Sequence, residues 1–286
     1  MAWLTWQGVR ALATCEALVP ESGTVQLAEP DPARPPIKWA SQRHWFDTAI
    51  PHPSQAGDAI YARTAWRHSV RGALVCAVTA PSVLVSSFYD PTIYGPAVAE
   101  VCAPTSQIRH WFGVQVGTTH PRLTAMPVGV EADNVPLFEA TERHTTRDIL
   151  LYLNFSLDRA TATRHLAWRH FAPLPWVTAE RPGPAAHYVA QLGRSRFVLS
   201  PPGFGWDCYR TYEALVMGAI PIVIRQPPQS DVCESLPVLM VNHWREITPE
   251  RLQREWETRT RPRDLRKLTL EYWRERIQAE ARRCLT

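Results

Sequence analysis

Residues 196–224 read RFVLSPPGFGWDCYRTYEALVMGAIPIVI, and a strand, a turn, a helix and a second strand follow one another inside that stretch. Phe197 to Ser200 is a short apolar run of strand length. Pro201-Pro202-Gly203-Phe204-Gly205 is a turn whose two glycines let backbone N–H groups come close to a ligand. A helix is expected to open at about Asp207 and to run to Met217, and Gly218-Ala219 leads into a second apolar strand, Ile220 to Ile224. Parallel α/β sheets are built by repeating this unit. The helix that follows the glycine turn begins with unpaired N–H donors and the positive end of its dipole, so the expected ligand is an anion, with phosphate first.

The same alternation extends outward in both directions. Ala59-Ile60-Tyr61-Ala62 and Val83 to Ser87 read as strands, with a helix over Ala65 to Val78 between them. Val98 to Val101 reads as helical, Ile108 to Val116 as mixed and Leu123 to Val130 as a strand. The pattern restarts with strands at Asp148 to Phe155, Trp176-Val177 and Val238 to Val241 and helices at Ala160 to Phe171 and Ala186 to Leu192. The prediction is an α/β protein of two doubly wound, Rossmann-like domains, residues 1–140 and 141–286, the second ending in a C-terminal helix. The polar stretch Glu131 to Arg147 is read as the linker, and residues 1–35, which end in a proline cluster, give no clear element. In such folds ligands sit beyond the carboxyl ends of the strands, here in the cleft between the halves.

Composition narrows the function classes. The chain has 286 residues, 31 Lys+Arg against 27 Asp+Glu, and 12 Trp, 8 Tyr and 8 Phe, which excludes a disordered or collagen-like chain. Its cations are interspersed with acids, so no nucleic-acid stripe forms. The densest run, Arg251 to Arg283, reads as a solvated helical face ahead of a peripheral membrane contact. The six cysteines form no C-x-x-C pair, which argues against a zinc site and fits a reducing, cytoplasmic setting. Met1 to Pro20 lacks a signal-peptide pattern, and Pro81 interrupts the longest uncharged window, Gly72 to Tyr89. Walker, H-E-x-x-H and G-x-S-x-G patterns are absent, and Cys208 stands where a dinucleotide fingerprint would need its third glycine.

Asp207, Arg210 and Glu213 fall at i, i+3 and i+6 on the expected helix. Arg210 is suited to clamp a diphosphate with two parallel hydrogen bonds, and Glu213 to accept from two vicinal ribose hydroxyls. Asp207 reads first as a cap, or as the group that orients Arg210. A surface ion network on an amphipathic helix is the plainer alternative for all three.

With these residues in view, the segment resembles the C-terminal, nucleotide-sugar-binding half of exostosin-like glycosyltransferases of the two-domain GT-B architecture. The family pattern G-x-D-x-x-R-x-x-E-A-L followed by G-x-I-P-I-V stands here as Gly205 to Leu215 and Gly218 to Val223. Leu151 to Ser156, with Thr161 and Arg164, is similar to the first strand and phosphate-side loop of that half, and Trp111-Phe112 through Met126 to Val130 to the end of the first half. The resemblance implies Asn154, Ser156, Arg164, Ser200, Gly203, Gly205, Asp207, Arg210 and Glu213 as donor-binding residues. It implies a hexosyl- or pentosyltransferase that uses a nucleotide diphosphate sugar, UDP-sugar first, without a metal or other cofactor, and the chain contains no D-x-D. The acceptor would be a glycan, a lipid-linked sugar or a small molecule, in bacterial glycan or glycoconjugate synthesis. A non-catalytic sugar-nucleotide or glycan-binding module is the alternative.

An inverting transfer needs a base for the acceptor hydroxyl. Asp90, just beyond the strand Val83 to Ser87, is the first candidate, against a turn-capping role in Asp90-Pro91-Thr92. Asp47, His44 and His52 form the second, a polar-aromatic loop. His110, His120 and Glu131 cannot be ranked, and His165 and His170 read as ordinary helix residues.

Overall fold

A computed structural model of the chain describes residues 2–13, 15–18, 26–28, 54–61, 75–76, 78–86, 93, 95–144, 146–157, 162–203, 205–226, 231–259 and 264–286. The chain divides into two compact units, Met1–Met126 with Thr269–Thr286, and Pro127–Leu268. The boundary therefore falls at Met126/Pro127 and not at 140, and the last helix belongs to the first unit and not to the second. The expected linker is itself structured, with a 3-10 turn at Ala132–Asn134 and a helix at Val135–Ala140.

The first unit holds a six-stranded sheet in the order β2-β1-β3-β4-β5-β6. Its strands are β1 Cys15–Leu18, β2 Gln26–Ala28, β3 Ala59–Tyr61, β4 Ser82–Ser86, β5 Ile108–Val114 and β6 Leu123–Met126. Only β1 and β2 pair antiparallel. Two of these strands and the helix Trp6–Arg10 lie in the first 35 residues, where the sequence offered no clear element. β4 is buried from end to end, as a parallel strand covered on both faces must be. The indole N–H of Trp111 on β5 donates to the Ser86 hydroxyl at 2.8 Å, so the polar end of a fully buried side chain is satisfied. The C-terminal helix Leu270–Arg283 is capped by Thr269 and buries Trp273 and Ile277, with the Trp273 ring edge-on to Phe112. The spacing of those two apolar residues, on one stripe of a polar helix, is what brings it back to this unit. The basic run read as one solvated face is thus two helices, Pro249–Arg259 and Leu270–Arg283. No helix among the described residues is long and apolar enough to cross a membrane.

The second unit is a five-stranded, wholly parallel sheet of β7 Ile149–Asn154, β8 Val177–Glu180, β9 Ser195–Leu199, β10 Ile220–Ile224 and β11 Leu239–Val241, in the order β8-β7-β9-β10-β11. Leu151, Leu153, Phe197, Leu199, Ile220 and Ile222 from its central strands join Phe171 and Leu252 from the covering helices in one core. The chain leaves β7 toward β8 and then returns past β7 to β9. This reversal opens a crevice beyond the carboxyl ends of β7 and β9, the position at which such sheets bind ligands.

The two helices that reach this crevice, Ala185–Arg194 and Tyr209–Val216, are tied together at their far ends by Arg147. Its buried guanidinium donates to the carbonyls of Leu192, Ser195 and Met217 at 3.1, 2.7 and 2.8 Å. Gly218, at φ +81°, makes room, because a β-carbon there would lie 2.6 Å from Nη2 of Arg147.

Candidate functional site

The residues at the reversal of the second sheet converge on two guanidinium groups. Arg164, from the helix Ala162–Phe171, donates through Nε to the Pro202 carbonyl at 2.9 Å and through Nη1 to the Ser156 carbonyl at 3.3 Å. Arg210, in the first turn of Tyr209–Val216, donates through Nε to the Asn154 carbonyl at 2.8 Å and lies over the Phe155 ring. Each is thus anchored on the carbonyl of a residue at the carboxyl end of β7. Burial, and after it the like charge of Arg210, hold the Arg164 pKa below the usual guanidinium range. Among the described residues, the Nη1 of Arg210 is buried and finds no hydrogen-bond partner. An unsatisfied buried charged donor is costly, and such groups concentrate where a ligand completes them.

The turn of residues 201–205 fits around this pair. Gly203 donates to the Gly205 carbonyl at 3.0 Å, and a β-carbon on Gly203 would lie 2.5 Å from Nη2 of Arg164. Glycine here is a matter of space for the guanidinium. The helix begins at Tyr209, and its N-cap Cys208 provides no side-chain cap. The Thr211 N–H of that first turn donates to the Cys208 carbonyl at 3.0 Å.

Asp207 lies just outside the helix, next to its N-cap Cys208. Its carboxylate accepts from the Tyr212 hydroxyl at 2.6 Å, from the Val128 N–H at 2.7 Å and from the Cys208 N–H at 3.1 Å. It ties the opening segment of the unit to the turn before the helix. Burial pushes its carboxyl up to about 7, and the three hydrogen bonds only partly offset this.

Glu213 is 4% exposed. Its Oε1 accepts from Asn134 Nδ2 at 3.0 Å and from the Glu131 N–H at 3.4 Å, and its Oε2 from the Tyr188 hydroxyl at 2.8 Å. The expectation of two open carboxylate oxygens is therefore corrected: three acceptor positions are already filled by the protein. Ser200 is turned inward as well, its hydroxyl 2.9 Å from that of Thr211 in a buried pair that locks β9 to the helix. The Asn154 amide donates to the Tyr152 hydroxyl at 2.9 Å, which donates to Glu180 at 2.9 Å, so Asn154 offers its carbonyl to Arg210 and its side chain to a polar layer. His187 and Gln191 reach the same Glu180 carboxylate at 2.9 and 3.1 Å.

The structure thus brings together Asn154, Ser156, Arg164, Gly203, Gly205, Arg210 and Glu213, and gives Ser200 and Asp207 supporting positions. Sequence reasoning missed Asn134, Tyr152, Glu180 and Tyr188. Only the place of Glu180 at the carboxyl end of β8 carried a signal. Asp90, Asp47, His44, His52, Thr161 and Phe204 lie outside the described residues. His110 is half-buried, 2.8 Å from the Thr124 hydroxyl, with its pKa lowered by burial, while His165 and His170 lie exposed on their helix. Among the described residues no cluster of His, Cys, Asp or Glu has the makings of a metal site.

No curated protein matches the chain. Among solved structures it is similar, at 12% identity and a TM-score of 0.45, to an α,α-trehalose 6-phosphate synthase from Burkholderia multivorans, over 81% of this chain and 73% of that one. It is similar also to AviGT4, a glycosyltransferase involved in avilamycin A biosynthesis, at 13% identity and a TM-score of 0.43, over 79% of this chain and 74% of that one. Residues 168–286 match the family model of the RXYLT1 C-terminal domain. The part of the chain that contains Gly203, Gly205, Arg210 and Glu213 is therefore similar to the exostosin-related RXYLT1 C-terminal domain.

Proposed function

We propose that the protein is a glycosyltransferase whose donor is a nucleoside diphosphate sugar, with the diphosphate seated between Arg164, Arg210 and the first turn of Tyr209–Val216. The observation that carries this reading is the buried Nη1 of Arg210, unpartnered among the described residues, beside a second guanidinium whose hydrogen bonds run to two carbonyls and to the Cys208 sulfur. Two adjacent cations anchored on neutral groups have charge to spare for a dianion. As the bond from the anomeric carbon to the diphosphate oxygen breaks, negative charge grows on the leaving group, and fixed cations in a dry site stabilise that charge without reorganising. This work is what a divalent cation does elsewhere, and the reading takes the transfer as metal-independent. The acceptor oxygen bonds to the anomeric carbon from the opposite face, with inversion, and Asp90 is proposed to take its proton.

The test is a panel of UDP-, GDP-, CDP- and ADP-sugars with released diphosphate as readout, with and without EDTA, on wild type and Arg210→Leu. The expected result is turnover with one donor class, UDP first, insensitive to EDTA and lost in the variant. A donor-induced rise in melting temperature without turnover would instead make the chain a binding module, and a full response to EDTA would overturn metal independence.

A further inference from the structure

We infer that Tyr188 is a donor-binding residue, and that a vicinal diol such as that of a ribose is read by its phenol oxygen together with Oε2 of Glu213, not by the two oxygens of the carboxylate. This inference rests on the proposed nucleotide reading of the site.

A carboxylate offers about four acceptor positions. On Glu213, Oε1 already accepts from Asn134 and from the Glu131 backbone, whereas among the described residues Oε2 accepts from Tyr188 alone. The open position is therefore on Oε2, beside Tyr188. The phenol donates its one proton to Oε2, which leaves its own lone pairs free to accept. The result is two acceptor oxygens 2.8 Å apart, a spacing close to that of two vicinal hydroxyls. Glu213 is almost wholly enclosed and Tyr188 is half-buried, so both oxygens sit in a largely dry setting. Burial and the neighbouring carboxylate push the Tyr188 pKa well above its ordinary value, so the phenol keeps its proton and its role throughout the working pH range. Tyr188 also packs near Tyr152, whose hydroxyl bonds to Asn154, the residue that holds Arg210. The diol reader and the diphosphate cations thus share one framework of side chains.

The experiment measures dissociation constants of UDP, 2′-deoxy-UDP and 3′-deoxy-UDP for wild type, Tyr188→Phe and Arg210→Leu, with GDP, CDP and ADP and their deoxy forms as further probes. In wild type, loss of the hydroxyl that meets Glu213 is expected to weaken binding about 10–100-fold, as for a bond to a charged group, and loss of the other about 3–10-fold. In Tyr188→Phe, which preserves the ring packing, the smaller penalty should vanish and the larger one persist. Both penalties persisting in Tyr188→Phe overturns the inference, and so does a wild type indifferent to both hydroxyls. If Arg210→Leu abolishes binding while the penalties behave in either of those ways, the diphosphate reading stands and only the diol reader falls. If no ribonucleoside diphosphate binds wild type, both fail.

Discussion

Gly203 and Arg164 occupy adjoining space so closely that a β-carbon on the glycine would lie 2.5 Å from Nη2 of the arginine. The atom in the way is the far end of a flexible side chain, so Gly203→Ala should displace the guanidinium and leave the fold intact. We expect nucleoside diphosphate affinity to fall about tenfold with the melting temperature nearly unchanged. Calorimetric titration and a thermal melt on the same sample check this, and a large loss of stability with unchanged affinity would place the constraint in the turn itself.

Arg210→Leu separates the cost of the site from its use. The variant loses the bond from Nε to the Asn154 carbonyl but also removes a buried donor with no partner among the described residues, a group that costs about 1–3 kcal/mol. The ligand-free variant should therefore be within about 1 kcal/mol of wild type or more stable, while transfer slows by about 2–4 kcal/mol of transition-state stabilisation. Denaturant titration and initial rates at subsaturating donor are the two measurements, and a destabilised variant with normal rates would make Arg210 a structural residue.

Asp207 gives the protein a predictable pH response. Its folded-state value of about 7 lies above the 3.8 of the free side chain, so between those two values the native state holds a proton that the unfolded state has released. Its contribution to stability is present in full below the unfolded value and is lost as pH rises toward 7. Asp207→Asn mimics the protonated form, so its melting temperature should gain on wild type as pH is raised from 5 to about 7. A difference that stays constant across that range would show that the carboxylate is ionised throughout.

Asp90→Asn tests the proposed base. Turnover should fall about 10²–10⁴-fold while nucleoside diphosphate affinity stays at the wild-type value, because the proposed donor site is built from residues of the second unit. Retained turnover with a stability loss of about 1 kcal/mol would identify a turn cap and move the search to Asp47, His44 or His52.

Much of the second unit is legible in its sequence because its central strands β9 and β10 are buried along most of their length and read as continuous apolar runs. Ile220–Ile224, IPIVI, can hardly be anything but an inner strand, and its bounds match the expectation. The positions of Arg164 and Arg210 also follow from local pattern, since each stands in the first turn of a helix that follows a strand. What local pattern does not carry is the partner across the fold. Glu213 looks open on a helical wheel, yet Asn134 and Tyr188, 79 and 25 residues away, close on it. Likewise the stripe of Trp273 and Ile277 announces a buried face without naming the sheet that buries it. The strands Cys15–Leu18 and Gln26–Ala28 are only four and three residues long, and their existence depends on pairing with each other and with β3.

The return of Thr269–Thr286 to the first unit fixes an order of events during synthesis. The stretch Pro127–Leu268 is continuous and can fold as soon as it has left the ribosome, whereas the unit begun earlier cannot finish until the residues after 268 emerge. Until then Phe112 lacks the edge of Trp273 and the sheet around it waits with an apolar face uncovered. The part made first is completed last, and any pause in translation between those points prolongs the lifetime of a sticky intermediate.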